Sequence, residues 1–367
     1  MSAAPAVVAP VAARHRDALR RWLVSAALPV PADEAEAALL VEAAREQRLV
    51  ALLQAGIEAT GGMEWSAAVR DRLADEHRRL LVRGVGQLDL AARVDALLAA
   101  QGLRTLPLKG AALAESLYAS PAERPMADVD TLALDDWPAS VRALEAAGFE
   151  CAERVDHAWS FVDPMTHSMV ELHRSVTSCG EVFGLDADAL WSRARPAPGQ
   201  VRRVPSSEDL LVQIAQHALF QHAGVLWLVQ WLDLRRLLER DPPDPARLAQ
   251  VARESRATSC VRAALSAAVA IVGAPAYPAW PAEPSLPSAL GRWLDQVRED
   301  PLAAVTPSPP PLARLRWALA AGRRWSLITG TLRPPAADGA GTGLGSASAI
   351  ARRAAGLVRR WGTTVLR

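Results

Sequence analysis

Asp128-Val129-Asp130 opens DVDTLAL (128–134), a run whose apolar residues predict a strand. Side chains alternate across a strand, so both carboxylates project from one face while Val129 enters the core. Carboxylates held side by side repel, and a divalent cation between them relieves the repulsion. The chemistry this suggests is metal-assisted. The pair alone carries little weight, because 40 acids in 367 residues give about four acid-x-acid pairs by chance, and a solvated strand end explains any of them. VELH (170–173) adds to it: Val170 and Leu172 share one face, Glu171 and His173 the other. Placed beside the first strand, Glu171 becomes a third carboxylate for the same metal, with His173 supporting it from behind.

Upstream, LPLKGAAL (106–113) reads as a strand end that enters a helix at Lys109-Gly110. Glycine there lets backbone approach a ligand closely, and free N–H groups at a helix start attract phosphate. Lys109 adds a positive charge, and Arg124, in a loop stiffened by Pro121 and Pro125, is within reach of the same anion. Lys109 is also the one lysine among 41 basic residues, and asparagine is absent. A GC-rich gene drifts from lysine to arginine wherever plain charge suffices. On that reading the surviving lysine sits where a compact ammonium serves and a broad guanidinium does not, although chance alone can leave one anywhere.

PLKGAAL, the Tyr118-containing helix end, RPMADVDTLAL and MVELHRS together resemble the uncharacterised nucleotidyltransferase family of the DNA-polymerase-β-like superfamily. The likeness is densest over 106–174 and extends into SSEDLLVQIAQHALFQHAGVLWLVQWLDL (206–234). The serine of the superfamily's glycine-serine element is missing, the Gly110–Asp128 gap is wide, and Arg174-Ser175 stands where the family has an aromatic. The resemblance implies an α+β fold, a small mixed-sheet core flanked by N-terminal and C-terminal helical regions. It implies transfer of NMP from an NTP to a hydroxyl or phosphate, with two Mg2+ ions, or Mn2+ in their place. Asp128, Asp130 and Glu171 would be the catalytic metal ligands, with Glu171 helping to deprotonate the acceptor. Lys109, Gly110 and Arg124 would cradle the phosphates, and His173 would support the substrate site. A small-molecule or peptide natural-product acceptor follows from the association of such relatives with biosynthetic gene clusters. The alternatives are a toxin-like enzyme acting on tRNA and a scaffold on the same fold that binds nucleotide without turnover.

The elements that must position these residues follow from periodicity. Stretches 33–54 and 66–100 repeat apolar residues at helical spacing, within a helical region spanning 1–100. From 101 to 200 short apolar runs alternate with Gly and Pro. Strands are expected at 103–108, 128–134 and 149–155, helices at 111–118 and 137–147, and a β-hairpin where Pro164-Met165-Thr166 joins HAWSFVD to HSMVELHRSV. From 201 to 333 the chain is helical again, with helices expected at 245–255, 257–273, 286–299 and 312–328. Residues 334–348 read as a flexible linker and 349–367 as a basic amphipathic helix.

Charge and composition exclude several classes. The longest apolar stretch is far short of the ~20 residues that span a bilayer, and no basic n-region precedes the apolar N-terminus, so neither a transmembrane segment nor a secretory signal is expected. Cys151, Cys179 and Cys260 lack CxxC spacing, which argues against a zinc site or disulfide framework and for a cytoplasmic location. The net charge of +1 divides into +9 over residues 312–367 and −8 over the preceding 311. The acidic body disfavours a long polyanion. The basic terminal helix reads as a solvated tail or as a contact for an anionic surface or partner protein.

Other residues read as structural. His217 and His222, five apart, fall on different sides of an ideal helix. His157 and His167 flank the hairpin as surface residues, and Trp227 and Trp231 share a face suited to filling a core or interface. Asp233 either touches the cleft or orients a neighbouring helix.

Overall fold

A computed structural model describes residues 13–305 except 156, 177–183, 185, 197–201, 223, 278–285 and 287. The expected linker, basic terminal helix and helix 312–328, together with Cys179, lie outside the described residues.

Four helices come first: α1 (Ala13–Ser25), α2 (Glu34–Glu46), α3 (Val50–Ala59) and α4 (Ala67–Ala99). Asp33 caps α2 by accepting from Glu36 N–H at 2.8 Å, and Ser66 caps α4 through Val69 N–H. The core follows as β1 (Thr105–Pro107), α5 (Lys109–Leu117), β2 (Val129–Ala133), α6 (Trp137–Ala146), β3 (Glu150–Arg154), β4 (Ala158–Val162) and β5 (Met169–His173). Next come α7 (Ala187–Arg193) and a two-strand pair, β6 (Arg195–Pro196) with β7 (Arg203–Val204), none of which periodicity had indicated. The chain then runs through α8 (Ser207–Gln216), a π-turn (His217–Gln221), α9 (Leu228–Arg240), α10 (Pro245–Glu254), α11 (Thr258–Val272) and α12 (Ser288–Glu299). Among the described residues no helix is long and apolar enough to cross a membrane.

The protein is a mixed α/β fold whose five-stranded sheet has the order β1-β2-β5-β4-β3. β2 and β5 are parallel, and every other pair is antiparallel. The parallel pair sets the register that matters, with Val129 opposite Val170 and Asp130 opposite Glu171. Alternation then buries Val129, Val170 and Leu172 completely against Leu90, Val94 and Leu98 of α4. The opposite face carries Leu106, Leu108 and Leu132 into a smaller cluster with Val176 and Leu190. Burial on both faces explains why β2 and β5 are rich in apolar residues, with ionisable groups at Asp130, Glu171 and His173.

A larger core joins the helices that precede the sheet in sequence to those that follow it. Leu53, Ile57, Trp65 and Leu73 pack with Leu210, Leu228, Trp231 and Leu234, and with Leu113 and Leu117 of α5. Helices from both flanks therefore pack around the C-terminal half of α5.

The expected continuous helix over 33–54 is broken. Arg48, at φ 58°, ends α2 and turns the chain into α3. No glycine or proline marks this break in the sequence.

Candidate active site

β1 ends at Pro107, and Leu108 N–H extends the sheet ladder to Asp130 O at 3.0 Å. Lys109 then takes a left-handed conformation, φ 44°, and begins α5. This kink between strand and helix brings the ammonium to the neighbouring strand, with Nζ 2.7 Å from Asp130 Oδ1. The same oxygen meets His173 Nε2 at 2.7 Å, and His173 Nε2 lies 3.3 Å from Glu171 Oε2. Asp130, Glu171 and His173 each offer a ligand atom within 4.8 Å of the others. Buried His173 Nδ1 has no hydrogen-bond partner among the described residues.

The electrostatics follow from this crowding. Burial disfavours the Asp130 carboxylate, but Lys109 and His173 outweigh it and hold the carboxyl well below its usual range. Burial likewise works against the Lys109 ammonium and a charged His173, and the facing carboxylates raise both pKa values nonetheless. Asp128 goes the other way. Burial, then the charges of Asp130 and Glu171, push its carboxyl up to about 6 against the opposing pull of Lys109 and His173. Lys109, paired with Asp130, thus leaves Asp128 under-compensated, the condition that a bound divalent cation corrects.

Lys109, Gly110, Arg124, Asp128 and Asp130 line one cavity of about 230 Å³. Glu171 and His173 are not in its lining; they stand on β5 beside Asp130. A larger cavity of about 580 Å³ lies between the end of α4 and Trp191, Arg202 and Arg203, and none of the three expected metal ligands lines it. Gly110 is required by packing, because a Cβ there would come within 2.7 Å of the Met126 side chain. Arg124 lines the cavity, but Asp233 occupies it: Nε donates to the two carboxylate oxygens at 2.7 and 2.9 Å. Tyr118 Oη donates to the same carboxylate at 2.7 Å. Asp233, buried on α9, needs this counter-charge, so it both touches the cleft and ties α9 to the core.

The helical flanks supply more of the wall: Arg48 from the α2–α3 break, His217 and His222 from the π-turn, Trp227 at the N-terminal cap of α9, and Gln230 and Asp233 from α9 itself. The histidines meet, with Nε2 atoms 3.2 Å apart. A π-turn advances five residues per hydrogen-bonded turn, and His222 N–H donates to His217 O at 3.2 Å. Spacing judged against an α-helix had separated them. Burial, together with nearby Lys109 and His222, holds the His217 pKa well below its ordinary value. His157, expected at the surface, is half-buried with its ring 5.6 Å from that of His173; exposed His167 matches expectation. Trp231 is fully buried in the helical core, while Trp227 lies under Arg48, whose guanidinium carbon is 3.7 Å from the ring centre. Arg48 was missed because its stretch reads as unbroken helix.

Residues 33–273 match a protein family described as "Uncharacterised nucleotidyltransferase". Among solved structures, the antibiotic-resistance factor ANT(2'')-Ia is similar at 13% identity and a TM-score of 0.36, over 47% of this chain and 93% of that one. An antigenic nucleotidyltransferase-like protein from Paracoccidioides brasiliensis is similar at 17% identity and a TM-score of 0.29, over 49% and 91%. No curated protein matches the chain.

Proposed function

Because this chain belongs to the uncharacterised nucleotidyltransferase family, we propose that it transfers NMP from an NTP to a hydroxyl or phosphate of a small-molecule or peptide natural product, assisted by Mg2+. The observation that carries the reading is the Asp130–Glu171 register on two parallel strands, with Asp128 alongside and Lys109 against Asp130.

The residues fit a divalent cation. Asp130 and Glu171 offer oxygens, and His173 a nitrogen, within 4.8 Å of one another, and Asp128, outside that cluster, is a third carboxylate that burial and its acidic neighbours leave short of positive charge. Asp128, Asp130 and Glu171 would hold the metal, and His173, on Asp130, would orient that carboxylate. When bound, Mg2+ or Mn2+ supplies charge neutralisation for the phosphates and a clamp on attacking and leaving oxygens.

The chain's own residues do the rest. Lys109 fixes one Asp130 oxygen and brings a compact positive charge to the cavity wall, where a phosphate oxygen can share it. Glu171, half-buried beside Asp130, accepts the proton of the acceptor hydroxyl as its oxygen bonds to the α-phosphorus. The bond from the α-phosphorus to the bridging oxygen breaks, and its electron pair leaves with pyrophosphate. Such transfer depends mainly on positioning and charge stabilisation, which a walled cavity provides.

A compact acceptor suits a cavity of about 230 Å³ walled by helices from both flanks of the sheet region, and the body's charge of −8 disfavours tRNA. Incubation with Mg2+ and α-phosphate-labelled NTPs, against small-molecule extracts or total tRNA, tests this. Label in the small-molecule fraction is expected. Label confined to tRNA would overturn the acceptor class, and NTP binding without label anywhere would favour a scaffold.

A further inference from the structure

Three long cationic side chains line the cavity, and two have counter-ions on the protein: Lys109 pairs with Asp130, and Arg124 with Asp233, each at 2.7 Å. Arg48 differs. Among the described residues its guanidinium makes no hydrogen bond and no ion pair, and its contact is the Trp227 ring. Burial lowers its pKa and Arg124 and Arg83 push the same way, with Asp128 opposing from a distance. A partly buried guanidinium without an acceptor is unfavourable until an anion completes it.

The backbone points the same way. Leu49 N–H donates to Ala44 O at 2.7 Å and Arg48 N–H to Arg45 O at 3.1 Å, the paired bonds that end a helix through a left-handed residue, usually glycine. Arg48 holds that position at φ 58°, where an L side chain is disfavoured. What an arginine adds there is its side chain in the cavity. Trp227 fixes the plane of the guanidinium, so the fork is oriented before a ligand arrives. Beside it, Gln230 Oε1 accepts from Trp227 N–H at 3.2 Å, which leaves the Gln230 amide NH2 as a second donor.

We infer that Arg48, with Gln230, forms the binding site for the pyrophosphoryl end of the nucleotide. This rests on the nucleotidyl-transfer reading, in which pyrophosphate is the leaving group and carries the greatest negative charge. Arg48 precedes the sheet region in sequence and Gln230 follows it, so the two helical flanks together would build the leaving-group site.

Calorimetric titration of the full chain, with Mg2+ present, separates the possibilities. The probes are inorganic pyrophosphate, the four common NTPs and the matching NMPs. Arg48→Gly is expected to weaken pyrophosphate and NTP binding roughly 10- to 100-fold, to leave NMP binding within about twofold, and to keep Tm at or above wild type, since glycine suits the left-handed position. Arg48→Lys, which keeps charge but loses the fork, should lie between, and it carries the same test should the glycine variant unfold. Unchanged pyrophosphate binding in these variants, or an equal loss of NMP binding, would overturn the inference. If wild type binds NTPs while pyrophosphate affinity ignores Arg48, this inference alone falls. If it binds neither, the nucleotidyl-transfer reading falls with it.

Discussion

Lys109 Nζ lies 2.7 Å from Oδ1 of Asp130, an oxygen that also meets His173 Nε2 at the same distance. The lysine reaches it from a left-handed residue at the first position of α5. Its length and single charged atom are matched to that contact, whereas a guanidinium spreads its donors over a plane. Lys109→Arg should therefore fold, with Tm within a few degrees of wild type, yet lose at least about tenfold in kcat/KM, on the order of 1.4 kcal/mol. Turnover close to wild type would mean that the lone lysine among 41 basic residues is a codon accident.

Asp233 is the hub between α9 and the core, holding Arg124 and Tyr118 at once. Removing its carboxylate leaves Arg124 buried and unpaired. Asp233→Ala should cost about 3–5 kcal/mol in urea unfolding, and Tyr118→Phe about 2 kcal/mol. In the double variant the two losses should fall short of additive, because both act through one carboxylate. Strict additivity would contradict a shared network.

Asp163 anchors the turn between β4 and β5 to α4. Burial alone would raise its pKa, but hydrogen bonds from Arg93 and Thr166 pull it down to about 2. An unfolded aspartate titrates near 3.9, so this carboxylate stabilises the fold above about pH 4 and loses that contribution as pH falls through about 2. Asp163→Asn should be less stable at neutral pH by about 2–3 kcal/mol, with the difference from wild type shrinking as pH drops. A difference constant with pH would rule out this linkage.

Much of the site was legible because β-strand alternation is strict: Asp130, Glu171 and His173 share a face, and Val129, Val170 and Leu172 the core, as period two requires. Lys109 and Gly110 were legible from the strand-to-helix change. Three features were not. Arg48 occupies a left-handed turn without the glycine that usually announces one. The histidine pair depends on a π-turn, whose period no ordinary helical template carries. The engagement of Arg124 by Asp233 joins residues 109 apart in sequence, a tertiary pairing that local pattern cannot encode.

The most direct test of the central claim is label transfer from α-phosphate-labelled NTP, in the presence of Mg2+ and the acceptor pool, by wild type, Asp128→Ala and Asp130→Ala. Wild type is predicted to label an acceptor, with labelling lost when the metal is chelated, and both variants are predicted to fall to background while remaining folded. Labelling that survives in both variants would contradict the account.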